Sequence, residues 1–115
     1  MIKFTNYNVL IIDDDKSVRN ALSKNIEKLD NVIVDSVADL QGAISKIHQK
    51  VYHLIICDYY LKPGTALEIL DLVKQVHPTT PVIVITGGAE DEKKSSLENG
   101  ATVFFSKPYD YLEVT

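Results

Sequence analysis

Short apolar runs alternate with amphipathic stretches along the whole chain. The runs at 8–13 (NVLIID), 32–36 (VIVDS), 53–58 (HLIICD), 81–86 (PVIVIT) and 102–106 (TVFFS) have strand length. The first, third and fourth are continuously apolar, which suits strands of a parallel sheet buried on both faces. The second carries Asp35 and suits an edge.

Between the runs the period changes to that of a helix. Residues 16–29 place Val18, Leu22, Ile26 and Leu29 on one stripe, and 39–50 place Leu40, Ala43, Ile44 and Ile47 at i, i+3, i+4 and i+7. Residues 65–77 do the same with Ile69, Leu72, Val73 and Val76, and the helix must stop at His77-Pro78. The stretch 89–98 ends at Asn99-Gly100, a good left-handed cap, but Leu97 is its only large aliphatic, so this helix is expected to be weakly anchored. Strands alternating with helices predict an α/β fold, a (βα)5 doubly wound five-stranded parallel sheet. Thr115 comes so soon after Pro108 that the last helix reads as truncated. The chain reads as a single domain over 1–115, with any output region lying beyond 115.

Composition narrows the classes. At 115 residues with 45% hydrophobic and 24% charged residues, the chain suits one globular domain, and a net charge of −4 offers no basic footprint for nucleic acid or an anionic membrane. Direct nucleic-acid binding by this segment and membrane association are therefore not expected. Cys57 is alone, no apolar run approaches the length of a membrane span, and the start MIKFTNYNVLII is too short and polar-interrupted for a secretory signal. The expected location is cytoplasmic.

In an open parallel sheet, ligands bind outside the carboxyl ends of the strands where the strand order reverses. Those ends carry Asp13-Asp14-Asp15, Asp58, Thr86-Gly87-Gly88 and Ser106-Lys107-Pro108. Converging carboxylates repel unless a cation neutralises them. An all-oxygen set suits Mg²⁺, with Mn²⁺ as the alternative, and Mg²⁺ favours one or two carboxylates together with a phosphoryl oxygen. Lys107 adds a cationic group and Thr86 a hydroxyl donor, while Gly87 leaves room beside a phosphoryl group. An aspartate can act as nucleophile to form an acyl phosphate, and Asp58, alone at the end of the third strand, is best placed to do so.

With these residues in place the chain resembles a response-regulator receiver domain of two-component signalling. The resemblance rests on four motifs at strand ends: IIDDDKSVRNAL, LIICDYYL, VIVITGG and VFFSKP. It implies a flavodoxin-like sheet of order 2-1-3-4-5 and a phosphoacceptor, Asp58, that receives phosphate from a phosphohistidine on a histidine kinase or histidine phosphotransfer protein. It also implies that Asp13, Asp14, Asp58 and the carbonyl of Tyr60 hold Mg²⁺, that Thr86 and Lys107 contact the phosphoryl oxygens, and that Thr86 and Phe104 act as switch residues. The family's habit of acting through an output domain or a homodimer comes with it. One departure is visible. The family usually has proline four and glycine eight residues after the acceptor, whereas here Lys62 and Ala66 hold those places and Pro63-Gly64 is displaced by one. That leaves the course of this loop open.

Blander readings compete. Asp15 is well explained as an acid at a helix N-terminus, Phe104 as core filling, and Cys57 as a small buried hydrophobe. His48, His53 and His77 lack metal-ligand spacing. Two other functions use the same letters. A pseudo-receiver interaction module would keep the fold without taking phosphate. A haloacid-dehalogenase-like phosphatase would use Asp13 as nucleophile, but leaves Asp58 without a role. The preferred reading is a signalling phosphoacceptor domain rather than an enzyme.

Overall fold

The structure is a computed structural model that describes residues 6–86 and 90–106. Among these residues seven strands and four helices follow in the order β1 (Tyr7–Ile12), α1 (Lys16–Ile26), β2 (Val32–Val37), α2 (Leu40–Gln49), β3 (Leu54–Asp58), β4 (Tyr60–Leu61), β5 (Gly64–Thr65), α3 (Ala66–Val76), β6 (Val82–Thr86), α4 (Glu90–Glu98) and β7 (Val103–Ser106). Five of the strands form one parallel sheet of order β2-β1-β3-β6-β7. This is the expected 2-1-3-4-5 order. The chain goes outward from β1 to β2 on one side and resumes at β3 on the other, so the order reverses between β1 and β3.

The continuous apolar runs are buried on both faces because side chains alternate. Leu10, Ile12, Ile55, Cys57, Val82 and Val84 pack with α2 and α3 in the larger core cluster. Val9, Ile11, Ile56 and Ile85 point the other way and pack with Val18, Leu22 and Ile26 of α1. The edge strand β2 is only half-buried, as its Asp35 suggested.

Each of the first three helices begins at a side-chain cap. Asp15 accepts from the Ser17 N–H at 2.8 Å, Asp39 from the Gly42 N–H at 2.7 Å and Thr65 from the Leu67 N–H at 3.2 Å. Their ends correct the expected stripes. The helix expected over 16–29 stops at Ile26, and the turn beyond it leads to Asn31, whose φ of 62° suits asparagine. Leu29 lies in that turn and is 53% exposed instead of buried. In α3 the buried stripe is Ala66, Ile69, Leu70 and Val73. This rotation leaves Leu72 partly buried and Val76 exposed.

The fourth helix turns its large aliphatic to solvent, in keeping with the weak anchoring expected of it. Leu97 is 43% exposed, and the neighbouring Ser96 is fully buried with no partner for its hydroxyl among the described residues. The loop after Asp58, whose course the altered proline and glycine positions left open, forms a short antiparallel hairpin. It pairs Tyr60 with Thr65 and Leu61 with Gly64 around a cis Lys62-Pro63 peptide. Gly87, Gly88, Lys107-Pro108 and the last helix expected after Pro108 lie outside the described residues.

Candidate functional site

Register brings the acids together. Ile12 of β1 is level with Cys57 of β3, so the residues that follow, Asp13 and Asp58, leave neighbouring strands side by side. Asp13 has the parity of Ile11, and Asp58 that of Ile56, so both carboxylates point to the α1 face of the sheet. Asp13 is 2% exposed and Asp58 7%. Asp14 is exposed beside them, and each of the three offers a carboxylate oxygen within 4.8 Å of the others.

The turn carrying Asp13 and Asp14 is tightly bonded. The Asp13 N–H donates to the Val37 carbonyl at 3.1 Å, and the Asp13 Oδ1 accepts from the Asp15 N–H at 2.9 Å. Asp15 serves as the cap of α1, the role its position at a helix N-terminus suggested. Arg19, which no sequence motif singled out, donates from Nη1 to the Asp13 carbonyl oxygen at 2.7 Å. The only hint in the sequence was a basic residue in the first turns after an acidic run, and that does not say where the side chain goes.

On the other side, the chain after the acceptor is pinned at Tyr59. Its N–H donates to the Ile85 carbonyl at 2.8 Å, and its carbonyl accepts from the Ala66 N–H at 2.7 Å. The displaced Pro63-Gly64 pair therefore changes the hairpin tip while Asp58 stays at the end of β3. Tyr59 is buried and Tyr60 is 57% exposed, their rings edge-to-face with centroids 5.2 Å apart. Tyr60 opens β4, two residues past Asp58.

Thr86 ends β6 level with Ser106, and Phe104 lies within β7 level with Val84. Their side chains, and Lys107, lie outside the described residues. Cys57 is fully buried, and burial, with the nearby Asp58 and Asp13 carboxylates adding to it, pushes its thiol well up, so it is a neutral core group. His53 Nδ1 accepts from the Asn8 N–H at 2.9 Å, and a His77 ring nitrogen lies 3.3 Å from the Ile47 carbonyl, so both have local structural partners. A cavity of about 110 Å³, lined by Leu70, Val73, Thr80 and Val82, opens at the amino end of β6 and shares no residue with the acid cluster.

Such a set is chemically specific. Three carboxylates, two of them buried, form an all-oxygen set of the kind that hard divalent cations such as Mg²⁺ prefer. Among the described residues no His or Cys joins the group, so a softer metal has no matching ligands there.

Comparison with known proteins is consistent with this geometry. The response regulator receiver domain model matches residues 9–115. The photosynthetic apparatus regulatory protein RegA of Cereibacter sphaeroides is 30% identical over 93% of this chain and 58% of its own length. The response regulator ArlR of Staphylococcus epidermidis is 32% identical over 93% of this chain and 48% of its own length. The chain thus spans about half the length of these curated relatives. Among solved structures, the solution structure of the beryllofluoride-activated NtrC4 receiver domain dimer superposes with a TM-score of 0.83 at 30% identity, covering 93% of this chain and 91% of that one.

Proposed function

Because the chain belongs to the response-regulator receiver-domain family of two-component signalling, we propose that Asp58 is its phosphoacceptor and that the transfer depends on a divalent cation, Mg²⁺ or Mn²⁺. The observation that carries the reading is the convergence of Asp13, Asp14 and Asp58 at the point where the strand order reverses. An Asp58 carboxylate oxygen attacks phosphorus, the P–N bond to the donor imidazole breaks, and the freed ring nitrogen keeps the electron pair and later takes a proton from solvent. The donor is a histidine kinase or a histidine phosphotransfer protein.

Asp13, Asp14 and Asp58, with the Tyr60 carbonyl, would hold the cation. When bound, it supplies positive charge to the phosphoryl oxygens. Thr86 and Lys107 supply a hydroxyl and an ammonium group to the same oxygens. Phe104 and Thr86 transmit the change of state toward an output domain or a second copy. The domain acts in the cytoplasm as a signalling acceptor, not as an enzyme with turnover.

The altered hairpin favours no change of acceptor, since Tyr59 anchors the chain on both sides of it. A phosphatase using Asp13 would leave Asp58 idle beside it, which the shared cluster argues against.

The test is incubation with acetyl phosphate and Mg²⁺, followed by intact-protein mass spectrometry. Wild type should gain one phosphoryl group, and Asp58→Asn or chelation of the cation should abolish the gain. Folded wild type that stays unlabelled would overturn the reading in favour of an interaction module. A label that persists in Asp58→Asn would move the acceptor elsewhere.

A further inference from the structure

The segment from Asp13 to Arg19 forms a closed brace. The Asp15 carboxylate caps α1 through the Ser17 N–H at 2.8 Å, and the Arg19 N–H donates to the Asp15 carbonyl at 3.0 Å. From that fixed position the Arg19 side chain reaches back six residues, and its Nη1 donates to the Asp13 carbonyl at 2.7 Å. Asp13 is also held through its N–H on Val37 and its Oδ1 on the Asp15 N–H. Asp14 is thereby enclosed in a turn fixed at both ends.

This bonding opposes a specific tendency. Without a cation, three carboxylates within 4.8 Å of one another repel, and the exposed Asp14 is the one freest to swing out into water. A guanidinium stays protonated at any relevant pH, and its bond to a carbonyl is charge-assisted and does not depend on metal. It therefore fixes the Asp13–Asp14 peptide before the cation arrives and places a positive charge at the Asp13 carbonyl. Lysine in its place would keep the charge but not the rigid planar fork, and glutamine would offer a neutral donor.

We propose that Arg19 is a positioning residue for the cation site, presetting the Asp13–Asp14 turn so that its carboxylates receive a divalent cation without reorganising. The inference rests on the divalent-cation part of the reading above, and not on which residue takes the phosphate. Outer partners of metal ligands commonly set affinity by about 10- to 100-fold.

The experiment is calorimetric titration of Mg²⁺ into wild type, Arg19→Gln and Arg19→Lys at fixed ionic strength, with circular dichroism to confirm folding. Arg19→Gln should bind about tenfold more weakly, and Arg19→Lys should fall between the two. Amide exchange at Asp15 in the cation-free protein should quicken in Arg19→Gln. In acetyl phosphate labelling, the half-saturating Mg²⁺ concentration should rise by the same factor while the rate at saturating Mg²⁺ stays within about twofold, since a positioning loss is recovered by filling the site. Equal affinities for folded wild type and both variants would overturn the inference, as would a reduced saturating rate with no change in affinity. Weaker binding by Arg19→Gln in a protein that never takes phosphate would uphold the inference and remove only the phosphoacceptor assignment. Wild type that binds no divalent cation would remove both.

Discussion

The Tyr52 hydroxyl donates to Asp35 Oδ2 at 2.6 Å, tying the segment that leads into β3 to the outermost strand of the sheet. Lys50 joins the same oxygen at 3.1 Å and lies 5.5 Å from the centre of the Tyr52 ring. Asp35 is thus a paired charge on the edge strand, and the Tyr52 hydrogen bond, with Lys50 assisting against the cost of burial, holds its carboxyl below the usual range. Burial, with Asp35 second, pushes the Tyr52 phenol up, so it remains a donor at neutral pH.

The pair gives a pH dependence of definite sign. A carboxyl whose folded pKa is depressed stabilises the fold above its unfolded pKa of about 3.9, and that contribution is lost as pH falls through the folded value. Tyr52→Phe should cost about 1–2 kcal/mol at pH 7. In urea unfolding from pH 7 to pH 3, the gap between wild type and Tyr52→Phe should narrow at the acid end. A gap that widens there would refute the assignment.

Cation binding should appear as stability. A ligand present at ten times its dissociation constant adds about 1.4 kcal/mol, provided it binds the folded state alone. Mg²⁺ at that level should raise the wild-type melting temperature by about 6 °C. The shift should vanish in Asp13→Asn, which keeps the shape of a buried side chain but removes one carboxylate of the cluster. An equal shift in that variant would place the ion elsewhere.

Ser96 is buried in α4 with its hydroxyl unbonded among the described residues, while Leu97 beside it faces solvent. An unmet buried hydroxyl costs about 1–3 kcal/mol, and alanine is also the better helix former. Ser96→Ala should therefore stabilise the domain by about 1 kcal/mol and slow amide exchange within 93–98. A loss of stability on this substitution would show that the hydroxyl has a partner in solution.

Two glycines should respond differently to alanine. Gly100 has a φ of 104°, which side chains rarely adopt, so Gly100→Ala should cost about 1–3 kcal/mol whatever the space around it. At Gly64 an added Cβ would collide with the Glu68 carboxylate, the far end of a flexible and exposed side chain that can rotate away. Gly64→Ala should cost under about 1 kcal/mol in chemical denaturation. The reverse ranking would mean that Glu68 is held in place.

Much of the molecule was legible in the chain itself. Continuous apolar runs ending in acids named the buried strands that carry Asp13 and Asp58, because side-chain alternation and helical period are local properties. Asp15 could be read as an acid at a helix N-terminus for the same reason. The stripes misled where the helix ended early or turned, as at Leu29 and Val76.

What only the tertiary structure decided is which distant residues meet. The alignment of Ile12 with Cys57 sets Asp13 against Asp58 on one face, and a slip of one residue would have put them on opposite faces. The reach of Arg19 to the Asp13 carbonyl and of Tyr52 to Asp35 likewise depends on how strands and helices pack, which no local pattern encodes. By itself the sequence determined the elements and the chemistry at their ends, because these follow from neighbours along the chain. The site was decided by register and packing, because these join residues the chain keeps apart.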